Sequence, residues 1–117
     1  MEMPAAITGR GLIYRYPGQA TDAVGGVDIT LRRGEAVGLL GPNGSGKSTL
    51  ISLLTGLRQP QEGAVVVRGG ERCMVAWVLQ DYAFYPDLTC HENLRFFVAM
   101  RAINPQEAGR RVERAIA

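Results

Sequence analysis

Residues 36–57 read Ala36-Val37-Gly38-Leu39-Leu40-Gly41-Pro42-Asn43-Gly44-Ser45-Gly46-Lys47-Ser48-Thr49-Leu50-Ile51-Ser52-Leu53-Leu54-Thr55-Gly56-Leu57, and this stretch decides the fold. The unbroken apolar run 36–40 predicts a buried parallel strand. Gly41–Thr49 fits the template Gly-x-x-x-x-Gly-Lys-[Ser/Thr]. Leu50, Ile51, Leu53, Leu54 and Leu57 recur at helical spacing. Strand, glycine loop and helix is the context in which the template holds a polyphosphate. The glycines let successive backbone N–H groups turn inward, and the helix N-terminus adds partial positive charge. Lys47 then reaches the β- and γ-phosphates, and the Ser48 hydroxyl meets Mg²⁺. At ordinary residue frequencies the bare template arises by chance roughly four times in a thousand chains of this length.

Composition agrees with a folded domain and narrows its partners. The 117 residues are 46 % apolar and 21 % charged, which describes one globular domain with length enough for a core. A net charge of +2 is too small to argue for nucleic acid. No apolar run approaches the roughly 20 residues of a membrane span. Met1-Glu2-Met3-Pro4 shows no signal peptide. Cys73 and Cys90 match no metal or redox spacing, so free thiols in a reducing compartment are expected. Lys47 is the only lysine among 13 cations, placed where a compact ammonium would meet phosphate oxygens.

On either side of the loop the chain divides into short elements. Residues 6–16 predict a first strand, and Pro17-Gly18 a turn. Val27–Leu31 alternates apolar and polar, the mark of a half-buried strand. These early strands suggest an antiparallel layer beside a parallel one. The helix after the loop runs to about Leu57, with Pro60 as a stop. Residues 64–68 predict a strand, Gly69–Arg72 a hairpin connection, and Cys73–Leu79 the return strand. Gln80-Asp81 follows at the end of that strand, where ligands commonly approach an α/β sheet. Thr89-Cys90-His91-Glu92 is a capping box that opens a helix with Leu94, Phe97 and Val98 on one face. Asn104-Pro105 starts another, striped by Ala108, Val112 and Ile116. His91 reads as a solvated helix-start residue, and Arg110, Arg111 and Arg114 as a solvated face.

Taken together these residues resemble an ATP-binding-cassette (ABC) transporter ATPase, over the whole chain but only the N-terminal half of such a domain. Leu40–Leu50 is similar to that family's Walker A motif, and Leu54-Thr55-Gly56-Leu57 with Pro60 and Gly63 continues in its manner. Val78-Leu79-Gln80-Asp81 resembles its Q-loop. Tyr85-Pro86-Asp87-Leu88-Thr89 with Glu92-Asn93-Leu94 resembles the lead into its helical subdomain, in wording most like the export-type members.

The resemblance implies a P-loop NTPase fold of ABC type, α/β, with an antiparallel β layer beside a partial parallel sheet. Residues 1–87 would be the ATP-binding core and 88–117 the start of the helical subdomain. It implies ATP and Mg²⁺ as cofactors. Gly41, Pro42, Asn43, Gly44, Ser45, Gly46, Lys47, Ser48 and Thr49 would hold the phosphates, with Lys47 also acting on the reacting phosphoryl group. Tyr16 would stack on adenine, with Tyr14 as the rival position. Gln80 would complete the Mg²⁺ shell with Ser48 and sense the γ-phosphate. The implied partners are a transmembrane permease subunit and a second nucleotide-binding domain, at the inner face of the cell membrane, with no nucleic acid.

Several family features are missing from these residues. There is no Leu-Ser-Gly-Gly-Gln type signature and no apolar strand ending in Asp-Glu, so Walker B and the catalytic carboxylate are absent. The D-loop and the switch histidine are absent too, and His91 does not match the latter. In the family the Walker B strand pairs with the Walker A strand. Hydrolysis by the family is therefore expected, but the 117 residues by themselves are expected to be inactive. A nucleotide-binding fragment without turnover, and a non-transport ATPase of DNA repair or chromosome maintenance, are the alternative readings.

Overall fold

The structure, a computed structural model, describes residues 3–69, 75–81, 83–101 and 103–117. The chain divides into two compact units, Met1–Trp77 and Val78–Ala117.

The first unit is built on a three-stranded antiparallel sheet. Its strands are β1 (Ala5–Tyr14), β2 (Val24–Arg32) and β3 (Glu62–Val67), in the order β2-β1-β3. The strand predicted at 6–16 stands as β1, ending at Tyr14, whereas alternation finds only Val27–Leu31 of β2; bulges break the alternation in both strands. In β1, Ile7 and Gly9 give way to Leu12 and Tyr14, because the register slips between Gly9 and Leu12. Gly11 supplies the positive φ of 57° there, and its N–H donates to Asp28 Oδ1 at 2.7 Å. In β2, Val24 gives way to Val27, Ile29 and Leu31 across Gly25-Gly26, with Gly26 at φ 77°. The bulges switch the apolar positions from odd to even, or back, without turning them off the core face.

One helix covers that face. The helix α1 (Lys47–Leu54) sends Leu50, Leu53 and Leu54 onto Leu12 and Val24, and Ile7, Tyr14, Ile29 and Val65 pack around them. Leu12 and Leu53 are fully buried. Pro17-Gly18 makes the predicted turn: Gln19 N–H donates to Tyr16 O at 3.1 Å, with Gly18 at φ 79°.

The predicted strand at 36–40 is not formed. Residues 36–40 run without a ladder partner, and Leu40 is 98 % exposed and Val37 44 %. The physical reason is non-local. A run buried on both faces needs strands beside it, and among the described residues every paired strand belongs to the antiparallel sheet. Likewise residues 75–79 of the predicted return strand are not strand. Cys73 and the predicted hairpin at 70–72 lie outside the described residues, as do Met1 and Glu2. Among the described residues the expected parallel layer is thus not assembled, whereas the antiparallel layer is.

The second unit contains α2 (Cys90–Ala99) and α3 (Pro105–Ile116). Both helix starts are as predicted. Thr89 Oγ1 accepts the Glu92 N–H at 3.2 Å while Glu92 Oε2 accepts the Thr89 N–H at 2.8 Å. Asn104 Oδ1 accepts the Gln106 N–H at 2.9 Å ahead of Pro105. Their apolar faces are less completely covered than predicted. Val112 is buried, Leu94 and Val98 are half-buried, and Phe97 and Ile116 are largely exposed. The buried residue of α2 is Asn93: its amide takes the Tyr85 N–H at 2.7 Å and donates to Tyr85 O and Leu88 O at 3.0 Å.

Candidate functional site

The loop Gly41–Gly46 is shaped by glycine. Gly44 and Gly46 have φ of 81° and 92°, and Ser45 N–H donates to Pro42 O at 3.2 Å. Gly46 is the N-cap of α1 in the left-handed conformation, and no side chain caps the helix. The first-turn N–H groups of α1 are therefore presented at the loop, which is the geometry an anion requires. A side chain on Gly46 would run into the Ala23 carbonyl oxygen, so close approach also demands glycine here.

Lys47 folds back over the loop. Its Nζ donates to Gly41 O at 2.6 Å, Pro42 O at 2.7 Å and Ser45 Oγ at 3.3 Å. An ammonium has three protons, and here three neutral oxygens of the loop take them. Charged phosphate oxygens make stronger partners for the same donors. Ser48 is exposed on the first turn of α1, and Thr49 beside it is buried, 6 % exposed. An open cleft of about 390 Å³ lies against this turn, lined by Ile29, Leu31, Val37, Leu39, Lys47 and Ser48 among others. Its lining is mostly aliphatic, so it reads as uncovered core with the cationic loop at its rim.

Tyr16 comes to the same helix from the far end of the sheet. Its Oη lies 3.0 Å from Thr49 Oγ1. Tyr14, the rival aromatic, is on the same side: the two rings meet edge to face with centroids 5.1 Å apart. Tyr14, however, sits within β1 and accepts a hydrogen bond from Arg58 Nη1 at 3.1 Å. The Arg58 guanidinium stands 5.0 Å from the Tyr16 ring centroid and 5.6 Å from that of Tyr14, a cation–π arrangement with both. Arg58 carries no local signal in the sequence, because an arginine in a turn after a helix is ordinary. Tyr16, Lys47, Ser48 and Thr49 thus lie in one unit. Gln80 belongs to the other, in an exposed bend.

The remaining charged candidates are accounted for structurally. His91 is more engaged than expected, with Nε2 3.4 Å from Glu113 Oε1 across the α2–α3 pair. Arg110 and Arg111 pair with Glu107 at 3.1 and 2.9 Å, and the neighbouring Arg111 hydrogen bond holds the Glu107 carboxyl below its ordinary value. Among the described residues no group of three or more His, Cys, Asp or Glu could hold a metal, and no helix is long and apolar enough to cross a membrane.

Comparison with known proteins gives one family. Residues 24–117 match the family model described as ABC transporter. The probable multidrug ABC transporter ATP-binding protein YbhF of Escherichia coli is 36 % identical over 107 residues, covering 85 % of this chain and 18 % of that protein. The diacetylchitobiose uptake system ATP-binding protein MsiK of Streptomyces coelicolor is 37 % identical over 109 residues, covering 86 % and 28 %. Among solved structures, the dimeric bacterial ABC transporter cassette MJ0796 superposes with a TM-score of 0.73 at 25 % identity, covering 94 % of this chain and 54 % of that one. The chain spans less than a third of the length of these two relatives and about half of the solved cassette. Its fold is accordingly the α/β fold of the ABC-type P-loop NTPases, a family that binds and hydrolyses ATP, and the chain belongs to the ABC transporter family as part of its nucleotide-binding domain.

Proposed function

We propose that these residues form the adenine- and phosphate-binding half of the ATP-binding subunit of an ABC transporter, in which MgATP powers transport across a membrane. The observation that carries this reading is the 3.0 Å contact between Tyr16 Oη and Thr49 Oγ1. It sets an aromatic ring against the helix whose N-terminus presents the phosphate loop, so one nucleotide can span both. Tyr16 supplies a face for adenine, and Gly41–Thr49 the main-chain donors for the phosphates. Lys47 exchanges its three loop oxygens for phosphate oxygens. Neutral oxygen donors suit Mg²⁺, and the Ser48 hydroxyl and Gln80 amide oxygen are of that kind. When bound, the ion neutralises phosphate charge.

The chemistry divides between what is here and what is not. Charge on the reacting phosphoryl group is met by Lys47 and the loop N–H groups, by positioning and electrostatics. The carboxylate that orients the attacking water and the signature motif are not among the 117 residues. The solved MJ0796 cassette is dimeric, and the same proposal gives this chain a second nucleotide-binding domain as partner, with a permease at the inner face of the cell membrane. The Tyr85–Leu94 wording favours export. The similar identity to a multidrug and an uptake protein supports a reading in which the substrate is selected elsewhere, in the permease.

The test is binding set against turnover. The chain binds MgATP, Lys47→Ala weakens binding by roughly tenfold or more through lost charge-assisted hydrogen bonds, and neither form releases phosphate. A steady Mg²⁺-dependent ATPase rate abolished by Lys47→Ala would refute the half-site reading. ATP binding insensitive to Lys47→Ala would refute the phosphate site.

A further inference from the structure

Between α1 and β3 the chain turns through Arg58, Gln59, Pro60 and Gln61, none of them in the phosphate loop. Gln61 makes an unusual set of contacts. Its side-chain Oε1 accepts the Arg15 backbone N–H at 2.7 Å, and its Nε2 donates to Arg15 O at 3.0 Å. Its own backbone N–H donates to Ile13 O at 2.9 Å. The carboxamide thus does for Arg15 what a residue of a neighbouring strand would do, taking both of its main-chain groups.

The place matters. The β1 strand ends at Tyr14, so Arg15 is past the ladder and directly ahead of Tyr16. On the other side of Tyr16, the turn bond from Gln19 N–H to Tyr16 O at 3.1 Å closes the chain. The Arg15 side chain is itself tied down, with Nε 2.8 Å from Asp22 Oδ1. Tyr16 is thereby held between a turn and a two-pronged amide clamp, and the clamp comes from a residue 46 positions from the one it holds.

We propose that Gln61 is a positioning residue for the adenine platform. It acts through the Arg15 main chain to fix the direction in which the Tyr16 ring projects, without touching nucleotide. This rests on the reading of Tyr16 given above. A residue that merely stabilised the fold would affect every ligand of the unit alike. A residue that aims the ring affects only the share of affinity that adenine contributes. Because both hydrogen bonds lie at the exposed surface, water can take over the two main-chain groups in a variant, so the fold survives while the aim is lost.

The experiment is filter binding of radiolabelled ATP to the 117-residue chain, competed by ATP and by inorganic tripolyphosphate with Mg²⁺. It compares the parent with Tyr16→Ala, Gln61→Ala, Gln61→Glu and the Tyr16→Ala/Gln61→Ala double variant. Gln61→Ala weakens ATP binding about three- to tenfold, the scale of a lost exposed hydrogen-bond pair and a misaligned stack, and leaves tripolyphosphate unchanged. Gln61→Glu keeps the acceptor for the Arg15 N–H and falls between. The double variant binds ATP no more weakly than Tyr16→Ala alone. Loss in Tyr16→Ala without loss in Gln61→Ala overturns this inference and leaves the platform standing. No loss in Tyr16→Ala overturns the platform, and the inference with it. Equal losses of ATP and tripolyphosphate in both Gln61 variants assign Gln61 a general structural role and also overturn the inference.

Discussion

The Tyr16 hydroxyl lies 3.0 Å from the Thr49 hydroxyl, across 33 positions of sequence. Thr49 is 6 % exposed and follows the loop lysine by two residues, so the bond ties an aromatic to the helix start itself. The ring and the bond are separable by substitution. Tyr16→Phe keeps the aromatic face and removes the tie. Its expected cost is about 0.5–1.5 kcal/mol in stability, as for a hydrogen bond exchanged with water, with ATP affinity nearly kept. Tyr16→Ala removes the face, and about 1–3 kcal/mol of base stacking with it, or roughly 5- to 150-fold in ATP affinity. Calorimetric titration of the two variants checks this. A Phe variant that binds as weakly as the Ala variant would assign the effect to the hydroxyl and not to stacking.

Glycine at position 46 is required twice over. Its φ of 92° is a left-handed conformation, and an added Cβ would meet the Ala23 carbonyl oxygen, which belongs to backbone and cannot swing away. Gly46→Ala is therefore expected to shift the loop off β2's approach, at a cost of at least about 1–3 kcal/mol, the usual scale of such strain. Thermal unfolding followed by circular dichroism measures it. The neighbouring Gly44 also has positive φ, but no atom lies near its would-be Cβ, so Gly44→Ala carries only the conformational cost. Gly46→Ala melting no lower than Gly44→Ala would contradict the close approach.

What is legible in the sequence follows from how local each signal is. The Thr89 capping box, the Asn104-Pro105 start and the Pro17-Gly18 turn each close within four residues, and each stands where its residues predict it. The loop and the start of α1 are legible for the same reason, although α1 ends at Leu54, short of the expected Leu57, which is exposed. The run 36–40 misleads because its apolar character reports a burial that only other strands could provide, and pairing is not written in the run itself. β2 begins at Val24 and not Val27 because Gly25-Gly26 bulges the strand, which breaks the alternation that announces it. The surroundings of Tyr16 are illegible. Arg58 and Gln61 reach it from a turn more than forty positions away, with residue types that any solvated turn carries.

The α2 cap gives a pH dependence of known sign. The Thr89 hydroxyl, and then the Thr89 backbone N–H, hold the Glu92 carboxyl below its ordinary value of 4.5. The ionised form is the one the cap favours. Its contribution is thus complete above 4.5 and is lost as pH falls through the lowered value in the folded chain. The measurement is the difference in helical circular dichroism on melting between the parent and Glu92→Ala. That difference is expected to hold at neutral pH and to close in strong acid. A gap of constant size across the whole range would mean that the charge on Glu92 plays no part in the cap.

The uncovered apolar surface of the first unit predicts self-association. Leu40 is 98 % exposed, Val37 44 % and Ile51 40 %, and the run 36–40 carries main-chain groups that no strand pairs among the described residues. An extended apolar segment of this kind is a template for another chain. Charge on that run should suppress the effect without touching the phosphate loop: Val37→Lys places an ammonium where the side chain is already half in water. The chain is expected to elute from size exclusion as concentration-dependent oligomers, and Val37→Lys to shift it toward monomer with Mg²⁺-tripolyphosphate binding retained. A parent chain that is monodisperse and melts cooperatively at every concentration would show that the surface is covered in solution by something within the chain itself.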